Sequence, residues 1–148
     1  MNIVSISNIK GGVGKTNTVI SLAGELAKQG HKVLIIDNDS QSNVTQILSV
    51  NDAEISMYDV YKDKKLGFHE AIYEVNENLY LVPNTILGAK LEVELSTRVN
   101  REGILKAKLE TIPKIFEWVI IDNSPFLGIQ TQAALAMSNY YICVVDNS

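Results

Sequence analysis

Three short apolar runs, each closing on an aspartate, constrain the fold of this chain more than any other feature. Val33-Leu34-Ile35-Ile36 ends in Asp37, Trp118-Val119-Ile120-Ile121 ends in Asp122, and Tyr141-Ile142-Cys143-Val144-Val145 ends in Asp146. Each is rich in β-branched residues and too short for a helix, the pattern of strands buried on both faces of a sheet. Ile3 to Ser7 and Leu79 to Val82 are two further strand candidates. Helical spacing separates them. Val19, Leu22, Ala23 and Leu26 share a stripe over residues 15 to 29, with Gly30 as a stop; Leu87, Leu91 and Leu95 stand four apart over 87 to 96; Ile104, Leu105, Leu109 and Ile112 mark 101 to 112, with Pro113 beyond. Strands alternating with helices predict right-handed βαβ units and an α/β fold around a mostly parallel sheet. In such sheets ligands bind at the carboxyl ends of the strands. Asp37, Asp122 and the loop after the first strand are therefore expected on one rim.

Composition narrows the class. The 148 residues are 46% apolar and 20% charged, ordinary for a globular domain with a core. No internal repeat, low-complexity stretch or linker divides them, so residues 1–148 read as one continuous domain. No apolar run reaches 18 residues, which excludes a membrane-spanning helix, and Met1 to Ile6 reads as a first strand rather than a signal peptide. The single cysteine, Cys143, excludes a disulfide or a cysteine metal site within one chain and is expected as a buried small hydrophobe. A cytoplasmic location follows as the default. The formal net charge of −4 argues against a broad nucleic-acid-binding face, and Lys62-Asp63-Lys64-Lys65 reads as a solvated turn. His31 and His69 are expected at the surface, Trp118 in the core, and Tyr58 and Tyr61 in packing.

The chemistry sits in Asn8-Ile9-Lys10-Gly11-Gly12-Val13-Gly14-Lys15-Thr16, between a strand and a helix. Phosphate oxygens require several backbone N–H groups converging in a small concavity, and Gly11, Gly12 and Gly14 permit that close approach. A helix starting near Gly14 aims its unpaired N–H groups at the anion. Lys15 is spaced to reach β- and γ-phosphates, and the Thr16 hydroxyl to ligate magnesium. The strict G-x-x-x-x-G-K-[ST] pattern fails, because Ile9 holds the first glycine position; what stands instead is K-G-G-x-G-K-T, with an extra lysine at Lys10.

This two-lysine loop resembles the signature of the ParA/MinD group of P-loop ATPases, and the resemblance covers essentially the whole chain. It implies a three-layer P-loop NTPase fold, a site for ATP and Mg2+ held by Gly11, Gly12, Val13, Gly14, Lys15, Thr16 and Asn17, and a homodimer across the nucleotide. Lys10 would cross that interface to the partner subunit's nucleotide and act as an arginine finger does elsewhere. Asp37-Asn38-Asp39-Ser40-Gln41-Ser42-Asn43-Val44-Thr45 is similar to the D-x-D-P-Q-G-N-A-T segment of ParA partition ATPases. The resemblance gives Asp39 the attacking water and places Asp37 near the magnesium, through water. Two acids at a strand end also suit a helix cap or a turn, and both roles can coexist. Val119-Ile120-Ile121-Asp122-Asn123-Ser124-Pro125 resembles the Walker B strand h-h-h-h-D-x-P-P, in which Asp122 would hold a magnesium-bound water; an acid there is otherwise a polar exit from the sheet.

Four positions depart from the pattern. Asn17 replaces a second threonine, Ser40 the proline after Asp39, Ser42 a glycine, and Ser124 the first proline after the Walker B aspartate. None removes a charged catalytic group. Members of the group also run on well beyond a strand like 140 to 146. By resemblance, that further part supplies the adenine pocket, more strands and helices, and the basic surface for non-specific DNA. The expectation is either a piece of a longer protein or a naturally short one, with an apolar sheet edge that favours self-association.

The leading functional expectation is an ATP-dependent dimerisation switch in plasmid or chromosome partition, with a centromere-binding, ParB-like partner stimulating hydrolysis and no membrane attachment. A nucleotide-binding interaction module with little turnover is the alternative from another class. A MinD-like membrane-cycling ATPase is disfavoured by the residues after Asp37, and the cluster cysteines of nitrogenase iron protein relatives have no counterpart here.

Overall fold

The structure, a computed structural model, describes residues 1–145 apart from Ile9, Gly11 and Val13. Asp146, expected from the sequence at a strand end like Asp37 and Asp122, lies outside them, as do Gly11 and Val13 of the loop.

Among the described residues six strands form one sheet in the order β3-β4-β2-β5-β1-β6. They are β1 (Asn2–Ser7), β2 (Val33–Asn38), β3 (Tyr73–Asn76), β4 (Leu79–Val82), β5 (Trp118–Asn123) and β6 (Tyr140–Cys143). All pairings are parallel except β3 with β4, an antiparallel hairpin with a register shift between Glu74 and Asn76. The helices are α1 (Lys15–Lys28), α2 (Asn43–Ile47), α3 (Met57–Lys62), α4 (Gly88–Ser96), α5 (Arg101–Leu109) and α6 (Ile129–Met137), with a 3-10 turn at Phe68–Ala71.

The side-chain period of two divides the central strands between two cores. Val33, Ile35, Val4, Ile6 and Ile120 face α1 and α2, where Val19, Ala23 and Val44 cover them. Leu34, Ile36, Ile3, Val119 and Ile121 face the other way, onto Met57, Leu91, Leu95, Leu105 and Ala134 of α3 to α6. Both faces of the central strands are therefore covered, and the layers are helix, sheet, helix, the three-layer P-loop fold. Tyr58 and Tyr61 are buried in the second core, Tyr61 edge-on to Phe68 at 5.7 Å between ring centres. Trp118 is half-buried against the first core. His31 lies at the surface with Nδ1 2.8 Å from Glu117 Oε2, and His69 is exposed on the 3-10 turn.

The last strand corrects the sequence reading. The run 141 to 145 was expected to be buried on both faces, with Cys143 inside. Instead, among the described residues β6 is an edge strand paired only with β1, and all four of its residues, Cys143 included, are exposed. Burial needs a neighbour on the far side and a cover on each face, and an apolar run cannot report whether its strand is central or at the edge.

Candidate functional site

Strand β1 feeds a loop whose described residues suit a phosphate cradle. Gly12 and Gly14 adopt φ of +76° and +82°, a left-handed backbone that favours glycine, and, chain neighbours aside, no atom of the described residues lies within 4 Å of where either would carry a Cβ. Gly14 is the N-cap of α1, so the unpaired amides of that helix open beside the loop. Lys10 is exposed, with its backbone N–H donating to Asn8 Oδ1 at 2.7 Å. Gly11 and Val13 are outside the described residues.

Lys15 and Thr16 converge on one carboxylate. Lys15 Nζ donates to Asp122 Oδ1, and Thr16 Oγ1 donates to Asp122 Oδ2 at 3.0 Å. Parallel pairing of β5 between β1 and β2 brings Asp122 to that rim, and the same register sets Asp37 directly beside it. Burial pushes the Asp122 carboxyl above its ordinary value, against the pull of the Lys15 ammonium and the Thr16 hydroxyl.

Asp37 is fully buried. Its Oδ2 accepts from the Thr45 hydroxyl at 2.6 Å and the Thr45 N–H at 3.0 Å, and Oδ1 accepts from Asp39 N–H at 3.3 Å. Burial dominates and raises its pKa from 3.8 to about 7, opposed by those hydrogen bonds and aided by the neighbouring Asp122 charge. Asp39 lies 4.0 Å from Lys15 Nζ and accepts from Gln41 N–H at 3.0 Å. Its carbonyl holds Ser42 N–H at 2.9 Å, which closes the turn that lacks the usual proline.

These groups border a cavity of about 480 Å³ lined by Lys10, Gly12, Lys15, Thr16, Asn17 and Asp39, among others. The structure thus brings the described candidates together: Lys10, Gly12, Gly14, Lys15, Thr16, Asn17 and Asp39 border the cavity, while Asp37 and Asp122 lie beneath it, bonded to Asp39 and to Lys15 and Thr16. Among the described residues no three His, Cys, Asp or Glu side chains cluster as a metal cage. Magnesium does not require one, because it is held by one or two carboxylates together with substrate phosphates and water. The hydroxyl of Thr16 beside the Asp122 carboxylate is a hard-oxygen set of that kind, and the glycine cradle with Lys15 fits the phosphates.

Sequence reading missed three contributors. Thr45 anchors Asp37. Asn38 donates to Asn123 Oδ1 at 2.9 Å, one residue beyond the paired aspartates. Glu92 caps α6 through Ile129 N–H. The repeated Asp-Asn at 37–38 and 122–123 was a visible signal for the amide pair; nothing local marked Glu92.

A parallel sheet with this strand–glycine loop–helix unit, a lysine and threonine on a strand-end aspartate, and helices on both faces defines a P-loop nucleotide-binding protein. Residues 1–148 match a family model described as an AAA domain, and the chain belongs to that family, as a P-loop ATPase of the ParA/MinD type. It is 37% identical over 146 residues to the sporulation initiation inhibitor protein Soj of Bacillus subtilis, covering 97% of this chain and 58% of Soj. A plasmid partition protein from Borrelia burgdorferi superposes with a TM-score of 0.85 at 29% identity, over 96% of this chain and 63% of that one. Cobyrinic acid a,c-diamide synthase from Mycobacterium smegmatis, with bound ATP analogue and magnesium, gives a TM-score of 0.90 at 32% identity, over 98% and 60%. The chain spans less than two thirds of the length of each of these. Among the described residues no helix is long and apolar enough to cross a membrane.

Proposed function

We propose that this chain binds ATP with magnesium at the 10–16 loop and hydrolyses it as the nucleotide-binding part of a ParA-type partition ATPase. The observation that carries the reading is the convergence of Lys15 and Thr16 on Asp122 at the mouth of the glycine loop. Lys15 counters charge on the β- and γ-phosphates. Thr16 and Asp122 would hold magnesium, with Asp37 buried beside Asp122 beneath them. The metal supplies neutralisation of phosphate charge. Asp39 orients the attacking water, with its free geometry limited by Gln41 N–H. Lys10, exposed beside the cavity, acts across a homodimer interface on the partner subunit's nucleotide.

The fold does not choose among functions, because a protein named as an amide-forming synthase shares it at a TM-score of 0.90. The partition reading rests on residues 37–45 and on the similarity to Soj and to the plasmid partition protein. With it come an ATP-dependent dimer, a centromere-binding partner that stimulates turnover, and a cytoplasmic setting.

The test compares ATP binding and phosphate release by this chain with Lys15→Ala and Asp39→Ala. Lys15→Ala should lose binding. Asp39→Ala should keep binding and lose turnover by about 100-fold. Because Lys15→Ala leaves the buried Asp122 unpaired, its fold is checked by circular dichroism. Binding without turnover in the parent chain would leave a nucleotide-binding interaction module instead.

A further inference from the structure

Lys15 has two claims on it. The proposed phosphate site needs its ammonium on the β- and γ-oxygens, out in the cavity. In the structure that ammonium is turned to the acids instead. Lys15 is 9% exposed, and its Nζ donates to Asp122 Oδ1 and lies 4.0 Å from Asp39 Oδ2. Asp122 is fully buried, and its other oxygen accepts from the Thr16 hydroxyl at 3.0 Å. Each oxygen of that carboxylate thus has a donor, one cationic and one neutral. The same ammonium stands between two acids of one rim and offsets their mutual repulsion.

The two donors differ in what they permit. A hydroxyl that gives its hydrogen to Asp122 keeps lone pairs for a metal, so the Thr16 bond can persist in a magnesium-loaded site. An ammonium has no lone pair and carries its own positive charge. A dication brought to the same carboxylate stands close to that charge, and like charges repel strongly where burial limits screening. Lys15 and the metal therefore compete for Asp122 unless phosphate oxygens take the ammonium over. Its departure also withdraws the cation from Asp39, the acid proposed to orient water.

We propose that Lys15 is an internal counter-ion that masks Asp122 and Asp39 until phosphate draws it away, so that metal and nucleotide enter by an exchange of ion pairs and neither binds well alone. This coupling rests on the ATP reading of the loop and goes beyond it, because the loop pattern assigns Lys15 to phosphate only.

The anion side is tested by calorimetric titration of ADP in EDTA into the parent chain, Asp122→Asn and Asp39→Asn. Both substitutions remove one negative charge near the phosphates, but only the first removes the carboxylate bonded to Lys15. Metal-free ADP should bind Asp122→Asn about 10-fold tighter than the parent, the worth of one charge-assisted hydrogen bond. Asp39→Asn, at the longer distance, should gain no more than about 3-fold. The metal side is tested without nucleotide, by titration of Mn2+ followed by electron paramagnetic resonance. Lys15→Met, an uncharged chain of similar length, should bind Mn2+ at least about 10-fold tighter than the parent, whereas Lys10→Met should stay within about 3-fold. Circular dichroism melts establish that each variant is folded. Equal gains in Asp122→Asn and Asp39→Asn, no gain in either, or a parent that binds Mn2+ as tightly as Lys15→Met would overturn the mask. A parent that binds ADP with magnesium yet shows one of these results loses the mask alone. A parent that binds no ADP with or without magnesium loses the ATP reading, and the coupling with it.

Discussion

Asp37 shows how a buried acid couples the site to pH. Its folded pKa of about 7 lies above the ordinary 3.8, so between those values the folded chain holds a proton that the unfolded chain has released. Stability then falls as pH rises through that window and levels off above it, by at most about 1.4 kcal/mol per pH unit from this group. Asp37→Asn keeps an acceptor for Thr45 and carries no charge to desolvate. The variant should resist urea better than the parent at pH 8, and the gap should close toward pH 5, while any magnesium-dependent turnover drops. A larger advantage at pH 5 than at pH 8 would reverse the assignment. The acid itself was legible in the sequence, because it closes an apolar strand. Its burial was not, since the covering group is Thr45, eight residues on, and depends on how α2 folds back.

At the level of elements, legibility followed length and periodicity. Helices α1, α4 and α5 carried apolar residues at three- and four-residue spacing and were found nearly to their ends. Helices α2 and α3, of five and six residues, are too short to show a period, and α6 packs Ala133 to Met137 without a polar gap. Strand β3 was missed because its four alternating residues lie on a hairpin outside the parallel pattern. The start of α2 offers a test. Ser42, standing where the resembling segment has glycine, is its N-cap with φ of 57°, a conformation that is strained for a residue with a Cβ. Ser42→Gly should raise stability by up to about 1 kcal/mol in thermal melts, the relief of strain being partly offset by glycine's greater unfolded entropy. A loss of more than that would mean that the Ser42 hydroxyl, which reaches Ser40 O at 3.3 Å, matters more to the turn than the strain.

At the scale of the whole sheet, β6 is the outermost strand among the described residues, with Tyr140, Tyr141, Ile142 and Val145 exposed. An apolar strand with one side unpaired is a template for another strand. The chain should self-associate at high concentration by light scattering, and Tyr141→Lys should shift it toward monomer without lowering its melting temperature by more than about 1 kcal/mol in equivalent stability. A monomer at every concentration would remove this edge as an interface. The dimer proposed above runs through Lys10 rather than through β6 pairing, so a dimer that needs ATP and survives Tyr141→Lys would be of that kind.

The pairing of β2 with β5 sets Asp37 opposite Asp122 and Asn38 opposite Asn123. Sliding one strand by a single residue would turn each of its side chains to the opposite face of the sheet, placing a carboxylate where the amide pair now sits and an amide beside Lys15. The apolar runs would tolerate the slip poorly on both faces, and the polar rung would tolerate it worse. The two Asp-Asn steps therefore act as a proofreading mark for strand alignment. A misaligned chain has no phosphate site, so nucleotide affinity serves as a reporter of correctly registered protein in any refolded or mutated sample.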